Sequence, residues 1–174
     1  VGSLAVEIQS LHTDSRQVQP SSLFIALKGQ LSDGHAFIEQ AIQAGAIAIV
    51  AETLPEQKEE RVTWIQVEQS ARAAGYIAHH FFGEPSERLR LVGVTGTNGK
   101  TTIATLLYKL FQALGYRCGL LSTVENRIVD SVLPATHTTP DPIALNQMLK
   151  QMVDAGCTHV FMEASSHAIH QHRI

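Results

Sequence analysis

One glycine-rich stretch contains the residue types that bind phosphate groups. Residues 96–102 read Gly-Thr-Asn-Gly-Lys-Thr-Thr. Glycines let backbone N–H groups turn towards an anion, and the first turn of a following helix adds unpaired N–H groups and a positive dipole. Lys100 would place a positive charge on the β- and γ-phosphates, and the Thr101 hydroxyl would bind Mg2+. The stretch therefore predicts a site for the phosphates of a nucleotide.

The segments on either side of this stretch are those that a phosphate loop requires. Residues 89–94 form an apolar run that predicts a buried strand, and apolar residues recur at helical spacing over residues 103–114. One position departs from the general pattern, because Val94 stands where that pattern has a glycine. The alternative interpretation is an ordinary strand-to-helix turn in which Lys100 is a solvated charge.

A second polar cluster follows another predicted strand. Residues 158–162 predict the strand, which is followed by Glu-Ala-Ser-Ser-His over residues 163–167. In open parallel α/β sheets, ligands bind at the carboxyl ends of the strands, where a carboxylate can hold the Mg2+ of a nucleotide. For Glu163 alone, a solvated carboxylate is an equally good alternative. The nearby histidines lack the spacing of a zinc pair, and we interpret them as polar loop residues.

The composition limits the class of protein. The 174 residues are 44% hydrophobic and 17% charged, which is typical of a folded chain of one large or two small domains. A net charge of −3 without a Lys/Arg run gives no sign of a nucleic-acid surface. We find no membrane-spanning stretch and no signal peptide, and the two cysteines lack metal-type spacing, so we expect a cytoplasmic protein.

The order of predicted elements indicates an α/β fold in two domains. Three strands and two helices precede a break in the pattern, which contains Gly and Pro, over residues 83–87. We therefore expect a small N-terminal α/β domain over residues 1–86 and a parallel-sheet domain of the phosphate-loop type over residues 87–174. The predicted strands and helices of the first domain are residues 23–27, 37–44, 46–50, 62–67 and 70–82.

The second domain continues with a strand at residues 118–124, and residues 126–135 form either an edge hairpin or a loop. Asp141 and Pro142 fit the N-cap and first position of the next helix, which ends before Gly156. Thr138 and Thr139, just before this helix, would bind an anion or belong to a well-capped helix start.

Several stretches together resemble the Mur ligase family over the whole chain. Residues 96–102 look like the short ATP loop of that family, in which the valine at position 94 is expected. Residues 137–142 and 162–168 resemble the members that add the third amino acid of the peptidoglycan stem peptide. The stretches that resemble the N-terminal domain of these ligases are residues 14–16, 23–29 and 33–35.

The resemblance implies an activity. ATP would phosphorylate the free side-chain carboxylate of D-glutamate in UDP-MurNAc-L-Ala-D-Glu. The amine of a diamino acid, diaminopimelate or lysine, would then attack the acyl phosphate to form an amide. The enzyme positions the reactants and neutralises charge. The family extends well beyond the length of this chain, so the resemblance implies an inactive fragment with a truncated ATP-binding domain. We expect a monomer.

The resemblance also implies a role for each matching residue. Lys100 and Glu163 would be catalytic, and Thr101 and Glu163 would hold Mg2+. ATP would contact Gly96, Thr97, Asn98, Gly99, Lys100, Thr101 and Thr102. The UDP moiety would contact Ser15, Gln30, Leu31 and Ser32. The muramoyl-dipeptide would contact His137, Thr138, Thr139, Ser165, Gln171 and Arg173.

Two other functions stay open at this point. One is a nucleotide- or UDP-sugar-binding module without chemistry, and the other is a related ligase that acts on a different acid. The sequence does not identify the third amino acid, because the domain that selects it in the family lies outside these residues.

Overall fold

The structure is a computed structural model that describes residue 2 and residues 5–29, 32–135 and 138–174. Contacts divide the chain into two compact units, residues 1–74 and 75–174. The division falls inside a helix, and the predicted domain boundary after residue 86 stays a prediction. In the described part of the chain, no helix combines the length and apolar character needed to cross a bilayer.

The first unit contains a parallel sheet of four strands in the order β1-β2-β3-β4. Its strands are β1 (Ser10–His12), β2 (Ser22–Ile25), β3 (Ala46–Ala51) and β4 (Thr63–Gln66). Short 3-10 helices occupy Ser15–Gln17 and Gly34–Phe37, and the α-helices are α1 (Ile38–Gln43) and α2 (Ser70–Phe81), which extends past residue 74. The predicted strands are confirmed. Strand β1 was not predicted, because three residues are too few to show the alternation of apolar and polar residues that indicates a strand.

The core of the first unit lies against the sheet. All four residues of β2 are buried, and Phe24 and Ile49 are completely enclosed. Ala41 and Ile42 of α1 pack in the same apolar cluster, together with Trp64 of β4. The continuous apolar run in β2 is typical of a strand in a covered parallel sheet.

The second unit contains a sheet of five strands in the order β5-β9-β6-β7-β8. Strands β5, β9 and β6 are parallel, and β7 and β8 add an antiparallel hairpin at one side, which resolves the alternatives for residues 126–135. The strands are β5 (Arg90–Val94), β6 (Cys118–Leu121), β7 (Glu125–Ile128), β8 (Ser131–Pro134) and β9 (His159–Glu163). The helices are α3 (Lys100–Ala113), α4 (Pro142–Asp154) and α5 (Ser166–His170).

Helix α4 begins where the sequence predicts. The Asp141 side chain accepts hydrogen bonds from the backbone N–H groups of Ile143 and Ala144, each at 3.0 Å. Pro142 occupies the first helical position, where its missing N–H costs nothing. The helix thus starts shortly after Thr139, whose hydroxyl donates to the Glu163 carbonyl at the carboxyl end of β9.

One expectation for the second unit is wrong. Strand β5 forms at the predicted place but is not buried, since Leu91 is 37% and Val92 39% exposed. The apolar stripe of α3 also divides: Leu107 and Phe111 pack against the core, whereas the outer residues are exposed. Among the described strands, β5 pairs only with β9, so one of its edges carries no strand. The exposed residues of the stripe are Ile103, Leu106 and Leu110 of α3 and Leu114, its C-cap.

Candidate active site

The phosphate loop connects β5 to α3 and depends on two glycines. Gly96 has φ of 141° and Gly99 has φ of 81°, conformations that residues with a Cβ rarely adopt. Gly99 is the N-cap of α3 and provides no side chain to occupy the first N–H groups of the helix. The first N–H groups of a helix have no partner within it, so the start of α3 offers donors to an anion, and phosphate binding there stays a prediction.

Lys100 lies across this loop. Its Nζ donates to the carbonyl oxygen of Gly96 at 2.6 Å and to that of Thr97 at 3.4 Å. The ammonium group is thus held against the loop by two of its carbonyl oxygens. Thr101 follows it in the first turn of α3, and Thr102 is exposed.

Glu163 ends the central strand β9, which lies between β5 and β6. It is the register partner of Val94, and the N–H of Ala164 donates to the Val94 carbonyl at 2.9 Å. Neighbouring strands are about 4.8 Å apart, so the phosphate loop starts beside Glu163. Glu163 is only 1% exposed. The alternative interpretation as a solvated strand-end carboxylate is therefore wrong.

The Glu163 carboxylate is held by a residue that the sequence analysis did not select. The backbone N–H of Thr123 donates to Oε1 at 2.8 Å, and the Thr123 hydroxyl lies 3.1 Å from Oε2. The predicted strand over residues 118–124 placed Thr123 inside a strand, but β6 ends at Leu121. The change from an apolar run to Ser-Thr at residues 122–123 was the available signal that the strand ends there.

Threonines and a serine surround the backbone of Glu163. The Thr139 hydroxyl donates to the Glu163 carbonyl at 3.0 Å and accepts from the Ser165 N–H at 3.2 Å. Ser165 is the N-cap of α5 and accepts from the Ala168 N–H. The Thr138 hydroxyl lies 3.1 Å from that of Thr123. The structure therefore gathers Thr138, Thr139 and Ser165 around the end of β9.

Two further predicted residues follow α5. The Arg173 guanidinium donates to the Thr139 carbonyl at 3.3 Å, which ties it to the same cluster. Gln171 caps the end of α5 through its backbone N–H, which donates to the His167 carbonyl at 3.0 Å. His137 lies outside the described residues.

The first unit holds the residues predicted to contact the UDP moiety. Ser15 is buried, and its hydroxyl donates to Gln40 of α1 at 3.0 Å. Ser32 is exposed, and its carbonyl accepts from the Gly29 N–H at 3.0 Å. Gln30 and Leu31 lie outside the described residues.

His35 forms hydrogen bonds to Asp33 and to the backbone of Glu52, which follows β3. Its Nε2 lies 3.0 Å from the backbone nitrogen of Glu52, which donates to it, and its Nδ1 lies 2.6 Å from Asp33. Since Nε2 accepts, the proton resides on Nδ1 and points at the carboxylate. Hydrogen bonds from the His35 backbone and ring lower the pKa of Asp33. Beside His35 opens a cavity of about 330 Å3, which is also lined by Leu54 and Trp64.

The residues at the end of β9 fit one Mg2+ ion that is bound mainly through a nucleotide. Within the described ranges, no group of three or more His, Cys, Asp or Glu residues is placed to hold a metal. Mg2+ keeps several waters and uses one or two protein oxygens together with phosphates, so it needs no such group. The hydrogen bonds to the Glu163 carboxylate come from neutral groups of Thr123. A buried carboxylate with neutral partners favours a bound cation.

The fold and this edge of the sheet define a class of protein. A parallel α/β sheet with a phosphate loop after one strand and a buried carboxylate at the end of the next is a nucleotide-binding domain of the phosphate-loop class. Comparison with family models makes the assignment narrower. The model described as Mur ligase family, catalytic domain, matches residues 7–82, and the Mur ligase middle domain matches residues 94–174. The chain belongs to the Mur ligase family.

Individual relatives agree with the two models. The UDP-N-acetylmuramoyl-L-alanyl-D-glutamate–2,6-diaminopimelate ligase of Cytophaga hutchinsonii is 58% identical over 99% of this chain and 36% of its own length. A solved structure of a ligase with that name is 28% identical, with a TM-score of 0.79 over 95% of this chain and 34% of the other. A crystal structure of the MurF ligase of Thermotoga maritima in complex with ADP shares the fold, at 24% identity and a TM-score of 0.58 over 90% of this chain and 32% of the other. The chain thus spans about a third of the length of these relatives.

Proposed function

We propose that this chain is the UDP-substrate-binding and ATP-binding part of an ATP-dependent ligase of the UDP-N-acetylmuramoyl-tripeptide synthetase type. The whole protein would join 2,6-diaminopimelate, the amino acid in the name of the Cytophaga hutchinsonii relative, to UDP-MurNAc-L-Ala-D-Glu. The chain by itself would bind nucleotide and UDP-substrate without joining them, because it spans only about a third of that relative.

One observation carries the proposal. Strand pairing sets Glu163 opposite Val94, so a buried carboxylate lies beside the start of a phosphate loop. A solitary glycine-rich turn would not need a buried acid at the adjacent strand end, and burying a carboxylate is costly unless a ligand or cation uses it. The pairing is therefore most readily explained by a nucleotide with its Mg2+.

The geometry supports separate roles for the residues. The N–H groups of residues 96–102 and the Lys100 ammonium would bind the phosphates and neutralise charge as the γ-phosphoryl group leaves. Thr101 and Glu163 would hold Mg2+, which, when bound, withdraws charge from the phosphate oxygens. Arg173 would bind the D-glutamate carboxylate, which attacks the γ-phosphorus with ADP as the leaving group to give an acyl phosphate, and Thr138 would contact another group of the muramoyl-dipeptide. The amine of the diamino acid would then displace phosphate and form the amide.

The first test measures ATP binding to the 174-residue chain by calorimetry, with Mg2+ present. Lys100→Ala removes a cation from the phosphates, and we expect it to lower the affinity by roughly 100-fold, since hydrogen bonds to charged groups contribute about 1.5–3 kcal/mol each. Lys109→Ala is the matched control, because Lys109 is an exposed residue further along the same helix. Equal ATP affinity of the two variants would exclude the loop as the nucleotide site.

The second test addresses the substrate. The chain is titrated with UDP-MurNAc-L-Ala-D-Glu and with UDP-GlcNAc, and we expect the muramoyl-dipeptide to bind more tightly. Similar weak binding of both compounds would contradict the muramoyl assignment.

The ligase reaction itself is tested with the intact gene product, ATP, Mg2+ and UDP-MurNAc-L-Ala-D-Glu, with diaminopimelate or lysine as the amine. If no phosphate is released with either amino acid, the proposal is overturned.

A further inference from the structure

Thr123 holds both oxygens of the Glu163 carboxylate. Its backbone N–H lies 2.8 Å from Oε1, and its hydroxyl lies 3.1 Å from Oε2. Two bonds from one residue fix the plane of the carboxylate as well as its position. Strands β6 and β9 are in register up to Leu121 and Met162, so Thr123 follows β6 at the same edge where Glu163 ends β9.

With Glu163 ionised, as a ligand of Mg2+ must be, the hydroxyl contacts have one consistent direction. The Thr123 hydroxyl lies 3.1 Å from both the Glu163 carboxylate and the Thr138 hydroxyl, yet it has a single proton. An ionised carboxylate can only accept, so the Thr123 proton points to Glu163 and the Thr138 proton points to Thr123. A chain of donors therefore runs from Thr138 through Thr123 to Glu163, and it leaves the lone pairs of Thr138 for a ligand.

We propose that Thr123 is a positioning residue that orients Glu163 for the Mg2+ of the nucleotide and couples it to Thr138. The inference rests on the proposed function, because it assigns Glu163 to the metal. Groups that orient a metal ligand without touching the metal commonly change metal affinity by 10- to 100-fold when they are removed. The same geometry makes the Thr138 hydroxyl oxygen a hydrogen-bond acceptor. A substrate amide N–H or hydroxyl would therefore donate to it.

A purely structural role makes a different prediction. If Thr123 only satisfied a buried carboxylate, its removal would lower stability and would affect ATP binding equally with and without Mg2+. If Thr123 orients the metal ligand, its removal would weaken ATP binding only when Mg2+ is present. The difference between the two conditions is therefore the measurement that separates the roles.

The experiment uses the whole 174-residue chain and measures ATP affinity with Mg2+ and with EDTA. Thr123→Val keeps the backbone N–H but removes the hydroxyl, and we expect about a tenfold loss of Mg2+-ATP affinity with Mg2+-free affinity unchanged. Thr123→Ser restores the hydroxyl and should stay within about twofold of the wild type. Thr158→Val is the matched control, because Thr158 is exposed and precedes β9 at its opposite end.

A double-mutant cycle completes the test. In a Glu163→Gln background, Thr123→Val should have no further effect on the Mg2+ dependence, since Thr123 acts through the carboxylate. Thermal unfolding of each variant is followed in parallel, and Thr123→Ala replaces the valine variant if the latter does not fold. An unchanged Mg2+ dependence in Thr123→Val, or the same loss in both conditions, would overturn the inference while leaving the ATP site intact. Absence of ATP binding by the wild type would overturn the proposed function as well.

Discussion

Strands β2 and β5 look alike in the sequence but differ in their surroundings. Both are short apolar runs, and both predict a buried strand. In the structure β2 lies between β1 and β3, and its Phe24 is completely buried, whereas Leu91 of β5 is 37% exposed. An apolar run therefore identifies a strand but not the number of its neighbours, which depends on distant parts of the chain.

The two units also differ in the interactions that stabilise them. In the first unit, Phe24 and Ile49 belong to one buried apolar cluster that includes residues of the sheet and of α1. In the second unit, the strand that leads into the phosphate loop is the exposed one, and the carboxyl edge is held by hydrogen bonds around Glu163. We therefore expect apolar truncations to damage the first unit most and hydroxyl removals to damage the second.

Phe24→Ala should have the largest effect on stability. Removing a fully buried aromatic ring leaves a cavity, and the free energy of unfolding of the first unit should fall by roughly 3–5 kcal/mol. Urea unfolding followed by fluorescence measures this unit directly, because Trp64 is the single tryptophan of the chain and belongs to the same core.

Leu91→Ala is the companion variant in β5. Because Leu91 is partly exposed, its loss should cost only about 1 kcal/mol, measured by amide hydrogen exchange of β5. A cost for Leu91→Ala as large as that for Phe24→Ala would contradict the comparison between the two strands. It would mean that β5 is packed more tightly than its exposure indicates.

Thr139→Val should have an intermediate effect. Thr139 is 2% exposed, and its hydroxyl both donates to the Glu163 carbonyl and accepts from the Ser165 N–H. Valine has a similar shape but leaves those groups without this partner, so the second unit should lose about 1–3 kcal/mol. Hydrogen exchange of β9 measures the loss, with Thr158→Val as the control.

The same variant separates two roles of Thr139. The resemblance to the Mur ligases predicts that it contacts the muramoyl-dipeptide, and that assignment stays a prediction. If the hydroxyl contacted substrate without supporting the fold, Thr139→Val would weaken substrate binding at unchanged stability. The buried, doubly bonded hydroxyl leads us to expect lower stability instead.

How well the sequence predicted each feature depends on how local its cause is. The N-cap Asp141 and the glycines at positions 96 and 99 were predictable, because each acts on a backbone within a few residues. The role of Thr123 was not predictable from the sequence, because its partner Glu163 lies 40 residues further along the chain. Only the pairing of β6 with β9 brings the two together.

The smallest predicted effect concerns a pair of charges in the first unit that flanks Ser15. The Arg16 side chain and then its backbone N–H donate to Asp14 and lower the pKa of that carboxyl to about 2. A carboxyl with a lowered pKa in the folded state contributes stability above its ordinary pKa, near 4, and loses it as the pH falls through about 2. Because the Arg16 side chain is exposed, the change in stability should be small.

Arg16→Ala tests this assignment. It removes the side-chain hydrogen bonds but keeps the backbone N–H, so the pKa of Asp14 should rise by about one unit and stay below its ordinary value. Carboxyl-detected NMR titration between about pH 1.5 and 6 measures it, with Arg61→Ala as a control that removes a different exposed ion pair of the same unit. An unchanged Asp14 pKa in Arg16→Ala would assign the shift to the backbone hydrogen bond alone. Asp14 would then act purely as the N-cap of the Ser15–Gln17 helix, and the orientation of Ser15 would not depend on the charge of Arg16.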